Sequence, residues 1–243
     1  MRRQLRSLFG LLYFYSMAYI LRSPLSVPLL VFRMSVFVIL LTLVGGHEYA
    51  VYALSGALVA LAFGAGLSQF SVDINALRVS GYRYILLTAP LGPATFAIGT
   101  ALGMSLLSFV GLTVFFLPWY YICHPGLQGV LELGLVLALT WLIGLSIGFL
   151  LSILIRTPHV LFNVTDTVYA LLVYLMPVYY PIELLPQSLR PLTLISPATH
   201  AGILVREIAV EGHIVSPLNM YVIIVVAAAL LALISRISKW REA

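Results

Sequence analysis

Six stretches of the chain stay apolar for long enough to cross a bilayer, at about residues 25–44, 50–69, 91–118, 129–154, 159–180 and 217–235. A hydrocarbon core about 30 Å thick takes roughly 20 helical residues to cross. Lipid offers no hydrogen bonds to a backbone, so each stretch must bond within itself and is expected to be a helix. Composition agrees. The chain is 62% hydrophobic and 9% charged, where a soluble domain is nearer half and a quarter, and its mean hydropathy is +1.08. The expected fold class is an all-α integral membrane protein with six spans, a single transmembrane domain over residues 1–243.

The N-terminus imitates a signal peptide: Arg2, Arg3 and Arg6 precede an apolar run from Leu8 to Leu21. No small-residue cleavage site follows, only Arg22-Ser23-Pro24, and the run is too short to span. With Arg at both ends and Tyr13, Tyr15 and Tyr19 between, residues 1–23 read as an amphipathic helix lying in the membrane interface. A retained signal anchor is the alternative.

Charge sets the orientation. With the N-terminus inside, the cytoplasmic side holds Arg2, Arg3, Arg6, Arg22, Arg78, Arg83, Arg156, Arg236, Lys239 and Arg241, and the outside only Arg190 and Arg206. Lys and Arg concentrate on cytoplasmic loops, so both termini belong in the cytoplasm. Counting residues 8–21 as a seventh span would invert every later loop and destroy this bias. The net charge of +5 is therefore a topology signal. Thirteen scattered Lys and Arg make no nucleic-acid face. The lone Cys123 excludes an internal disulfide and a cysteine-based metal cluster. His47, His124, His200 and His213 are too far apart in sequence to predict a metal site. The two halves do not look like inverted copies, which weakens a secondary-carrier reading.

Two connections are unusual. The inner segment from Asp73 to Pro90 begins with a capping residue and places Leu77, Tyr84 and Leu87 near helical spacing, with Tyr82 between Arg78 and Arg83. It reads as an amphipathic surface helix over 73–87 that touches lipid headgroups or a cytoplasmic partner. The outer segment from Tyr180 to Ser216 is too apolar for a solvated loop, and Pro181, Pro186, Pro191 and Pro197 divide it. It reads as a re-entrant hairpin of two short helices, about 182–190 and 198–209, dipping into the outer leaflet. Irregular backbone at that depth requires protein or a wet cavity around it.

Ionisable groups inside a bilayer are functional candidates because an unpaired charge there is costly. Arg33 in the first span and Asp166 in the fifth lie at similar depth, which predicts an ion pair; Asn163 and Thr167 extend the polar stripe around Asp166. Glu132 falls at an outer helix end. Gly144-Leu-Ser146-Ile-Gly148 fits a hydrolase elbow, but that device needs a strand–turn–helix. Here the sequence lies inside a span, so Gly144 and Gly148, like Gly99 and Gly103, read as a small-residue packing face. Asn163-Val-Thr165 matches a glycosylation sequon inside a span and is incidental.

Gly81, Leu86-Leu87-Thr88 and Pro90, followed by Leu185-Pro186, Leu189, Leu192, Pro197-Ala-Thr199 and Arg206 in the outer segment, resemble the pattern of type-2 ABC exporter permeases over nearly the whole chain. Asn75-Ala-Leu-Arg78-Val-Ser stands where that family often has an acidic-Arg-acidic cluster. The resemblance implies a dimer, homomeric or heteromeric, of such subunits. It implies docking of separate ATP-binding cassette ATPase chains through Asp73, Leu77, Arg78, Tyr82, Arg83 and Leu87. It implies a path between subunits along the second and fifth spans; Arg33, Asn163, Asp166 and Thr167, read from the sequence, are the candidates to line it. Pro181, Pro186, Pro197, Thr199 and Arg206 would shape the outer hairpin. The chain carries no Gly-x-x-x-x-Gly-Lys-Ser/Thr. No cofactor or metal is therefore expected on this chain, which is expected not to be an enzyme; ATP and Mg would sit on the partner ATPase. The implied function is export through the plasma membrane of a drug, lipid, glycolipid or polysaccharide by alternating access. A channel-like or secondary carrier without an ATPase is the alternative.

Overall fold

Gly46, at φ 73° and ψ −162°, interrupts an otherwise helical run, α1, over Ser26–Gly64. Only glycine enters that backbone region without strain. Leu30 and Met34 line one cleft with Ala60, Leu61 and Gly64, so the chain reverses at Gly46 and the two limbs of α1 run antiparallel. The two spans expected at 25–44 and 50–69 are present as Ser26–Gly46 and Tyr49–Phe70, and the short connection between them is this reversal at Gly46. In this computed structural model the described residues are 25–72, 74, 75 and 93–237, with Gly10 and Tyr13 as isolated positions. The interfacial helix expected over 1–23 and the surface helix expected over 73–87 lie essentially outside them.

A π-helical turn, Ala65–Phe70, prolongs α1. There follow α2 over Pro93–Cys123, α3 over Leu127–Leu154 and α4 over Pro158–Tyr169, the last prolonged by a second π-helical turn, Ala170–Leu175. A 3-10 turn at Ile182–Leu184, the one-turn α5 at Arg190–Thr193 and α6 over Pro197–Glu211 precede α7 over Pro217–Ile237. Among the described residues, five stretches are long and apolar enough to cross a membrane: Ser26–Gly46, Tyr49–Phe70, Ile98–Cys123, Leu127–Leu154 and Pro217–Arg236. Two boundaries are corrected. The third span runs to Cys123, beyond the expected 118, and the element expected at 159–180 ends its helical course at Leu175. The outer segment differs too. No helix fills 182–190, because Pro186 permits only turns there, whereas α6 is longer than expected.

The second limb of α1 is the axis of the bundle. Ala53, Leu54 and Ala57 through Phe63 are each 5% exposed or less. Trp119 donates from Nε1 to Ser55 Oγ at 3.0 Å, and Tyr169 donates to the Ala60 carbonyl at 3.2 Å. Most of this limb is thus enclosed by its own chain. Its closest partner is α3. A Cβ on Gly144 would sit 2.3 Å from the Phe63 carbonyl oxygen, one on Gly148 2.6 Å from that of Leu67, and one on Gly66 2.2 Å from the Leu145 nitrogen. Three glycines therefore let two backbones touch, which is how membrane helices associate where no hydrophobic force distinguishes lipid from leucine. Ser146, buried, donates to the Leu142 carbonyl at 2.8 Å. Thr42, Ser71, Thr140 and Thr165 make the same bond one turn back, satisfying hydroxyls without leaving the helix. Ser146 is part of a packing face and has no nucleophile's setting.

Candidate functional site

Arg33 lies seven residues into the first limb of α1, about 10 Å along a helix rising 1.5 Å per residue. Asp166 lies eight residues into α4. Arg33 Nη2 stands 3.6 Å from Asp166 Oδ1, and the two side chains are 57% and 52% exposed on the surface of the single chain. The pair is a loose contact at the wall of the bundle, where lipid or a neighbouring protein completes its surroundings. Above it, Phe37, Tyr174 and Tyr179 stack, with Phe37 and Tyr174 centroids 4.9 Å apart, and Tyr169 meets Tyr174 edge-on at 5.3 Å.

The pair stands at a cleft of about 300 Å³ that runs inward between the two limbs of α1, α2 and α4. Ser68 and Gln69, on the π-helical turn, face Ser108 of α2 across it, and Phe162 and Tyr169 wall it. Ser108 donates to Gln69 Oε1 at 3.4 Å, a long bond. A π turn holds more residues than an α turn, which brings Ser68 and Gln69 nearer one face; such turns recur at functional sites. Asn163 and Thr167 are exposed and do not line the cleft; Thr167 turns back to the Asn163 carbonyl at 2.7 Å. The polar stripe read from sequence thus separates into Arg33 and Asp166, which meet, and two residues that point elsewhere. Ser68, Gln69 and Ser108 carried no sequence signal, because isolated polar residues in apolar helices usually satisfy themselves. Only the packing of α2 against the π-helical turn brings them together. Asp73, Leu77, Arg78, Tyr82, Arg83 and Leu87 lie outside the described residues.

At the opposite end, the segment from Tyr180 to Ser216 is tied down by polar contacts. Beyond Leu175 the helix ends and its last carbonyls lose intrahelical partners. In the non-helical stretch that follows, Arg206 of α6 supplies donors: its Nη1 lies 3.3 Å from the Pro177 carbonyl and 3.0 Å from that of Val178, while its guanidinium covers the Tyr52 ring at 5.3 Å. Ser196 Oγ donates to the Leu172 carbonyl at 3.1 Å. Glu207 accepts from the backbone nitrogens of Val215 and Ser216 at 3.0 and 2.9 Å and from the Ser216 hydroxyl. Glu132, expected at an interface, accepts from the Ile214 nitrogen at 2.6 Å. His200 is held between Asn219 Oδ1 and the Leu194 carbonyl. Pro197 opens α6, and Thr199 within it is fully buried, its hydroxyl without a hydrogen-bond partner among the described residues. Pro181 and Pro186 bound the 3-10 turn. Among the described residues, no cluster of three or more His, Cys, Asp or Glu is arranged to hold a metal.

A bundle of helices long and apolar enough to cross a membrane defines a multi-pass membrane protein. The sequence pattern of the ABC-2 type transporter family matches residues 7–210, and the chain belongs to that family. It is therefore the membrane-spanning permease part of an ABC transporter, a transport subunit without catalytic activity of its own. No curated protein matches the chain closely enough to add a relative.

Proposed function

We propose that the chain is the transmembrane subunit of an ATP-driven exporter that carries a hydrophobic or amphipathic compound (a drug, lipid, glycolipid or polysaccharide) out through the plasma membrane. The observation that carries this reading is the Arg33–Asp166 cleft: a polar recess at membrane depth, open at the bundle wall, in a chain of a transporter family. Polar groups at that depth are costly unless they serve a pathway or one another. Residues 158–175 form the fifth of six spans in chain order, about 27 Å long at 1.5 Å per residue and continued by the turns at 176–180. The termini and the 73–87 segment face the cytoplasm, in keeping with the Arg and Lys bias. Two permease subunits work together, the residues 181–209 form an outer re-entrant hairpin, and separate ATPase chains holding ATP and Mg dock on 73–87. Closure of those ATPases on ATP drives alternating access through the spans.

The test is co-purification with the partner ATPase. The wild-type chain is expected to retain an ATPase whose sequence contains Gly-x-x-x-x-Gly-Lys. The double change Arg78→Glu, Arg83→Glu should release it while membrane insertion is unchanged. Undiminished ATPase retention would remove the docking role from this segment, and transport without any ATPase would favour a carrier.

A further inference from the structure

Resting on the reading of the Arg33 cleft as the substrate's path, we infer that the cleft takes an uncharged, hydroxyl-bearing head group, a sugar or glycerol, of an amphipath whose apolar chain stays in the bilayer. Three observations carry this. The first is charge. Arg33 and Asp166 are the charged residues among those described at the cleft, and they face each other at 3.6 Å. A net-charged head group would draw one away from the other and strand a charge at membrane depth. The second is the hydrogen-bonding inventory. Among the described residues, the Gln69 side chain is bonded only by the long contact from Ser108 and the Ser68 hydroxyl by none, yet both open into the cleft. An amide and two hydroxyls offer donors and acceptors together, the match for a polyol that both gives and receives. The third is size and shape. About 300 Å³ is at the lower end of small-molecule pockets, room for a head group without its chain. The Phe162 and Tyr169 rings provide flat apolar walls for the C–H faces of a ring, and the exposed Phe32, Val36 and Leu29 continue outward as a lipid-facing surface.

The experiment uses the full-length protein in nanodiscs of phosphatidylcholine doped equally with a monoglucosyl diacylglycerol, a diacylglycerol, phosphatidylethanolamine and phosphatidylglycerol. Lipids retained after release from the disc are read by native mass spectrometry, for the wild type and for Gln69→Leu, Ser68→Ala and Ser108→Ala. The expected result is preferential retention of the uncharged hydroxylated lipids by about three- to tenfold, the scale of one or two net hydrogen bonds, with the preference lost in Gln69→Leu and reduced in the serine variants. The glucosyl and diacylglycerol arms tell sugar from glycerol. A preference for phosphatidylethanolamine or phosphatidylglycerol that Gln69→Leu abolishes overturns the head-group inference and leaves the path intact. Retention indifferent to all three variants overturns both. The serine changes remove single atoms and guard against a folding defect in Gln69→Leu.

Discussion

Gly144 and Arg33 show how differently single residues act in this chain. At Gly144 the nearest atom to an added Cβ is a backbone oxygen at 2.3 Å, so no rotamer change relieves the clash and the helices must separate. Gly144→Ala should lower stability by about 1–3 kcal/mol, the usual cost of overpacking, measured as thermal unfolding in detergent. A wild-type melting curve would show that α1 and α3 are not in backbone contact. Arg33 and Asp166 are half-exposed on the single chain, so neither is an unpaired charge sealed in protein. A cycle of Arg33→Leu, Asp166→Leu and the double change should give a coupling of about 0.6 kcal/mol, the average for polar pairs in membrane proteins, with the double variant more stable than additivity predicts. Strict additivity would mean that Arg33 snorkels to the headgroups alone.

Among the elements, α6 is the one whose role depends most on its neighbours. It is too short to cross a membrane, yet nine of its residues are buried. Arg206 joins it to the end of the preceding span and to Tyr52 at the head of the axial helix. Arg206→Met keeps the apolar stem but removes the donors to the Pro177 and Val178 carbonyls. Losing hydrogen bonds from a charged group should cost about 1.5–3 kcal/mol. The expected result is faster proteolysis of the 176–196 segment together with a lower melting temperature. A melting temperature matching wild type, with unchanged cleavage, would show that α6 is held by apolar packing alone.

For the whole molecule the decisive question is which end faces outward. In a Cys123→Ala background, cysteine at Ser188, an exposed turn residue, should react with a membrane-impermeant maleimide added outside intact cells. Cysteine at Thr199 should not, because Thr199 is fully buried. Equal labelling at both sites would mean that α6 is not packed as described, and labelling of Ser188→Cys only from inside would invert the topology.

The sequence by itself determined that the chain is helical, where most of its spans lie and that Arg33 and Asp166 share a depth, because lipid leaves the backbone one way to satisfy itself and leaves charge few places to go. The reversal at Gly46 falls in the connection expected between the first two spans, but that a single non-helical residue makes it is not legible, since hydropathy marks where polarity changes and is blind to backbone angles. Prolines 181, 186 and 197 marked an irregular segment, but the partners of its carbonyls were not legible, because Arg206 finds them 28 and 29 residues back in the chain. The cleft was decided by tertiary structure alone. Ser68, Gln69 and Ser108 become one surface only when α2 crosses the π-helical turn of the axial span, and no local periodicity encodes which faces of two helices will meet.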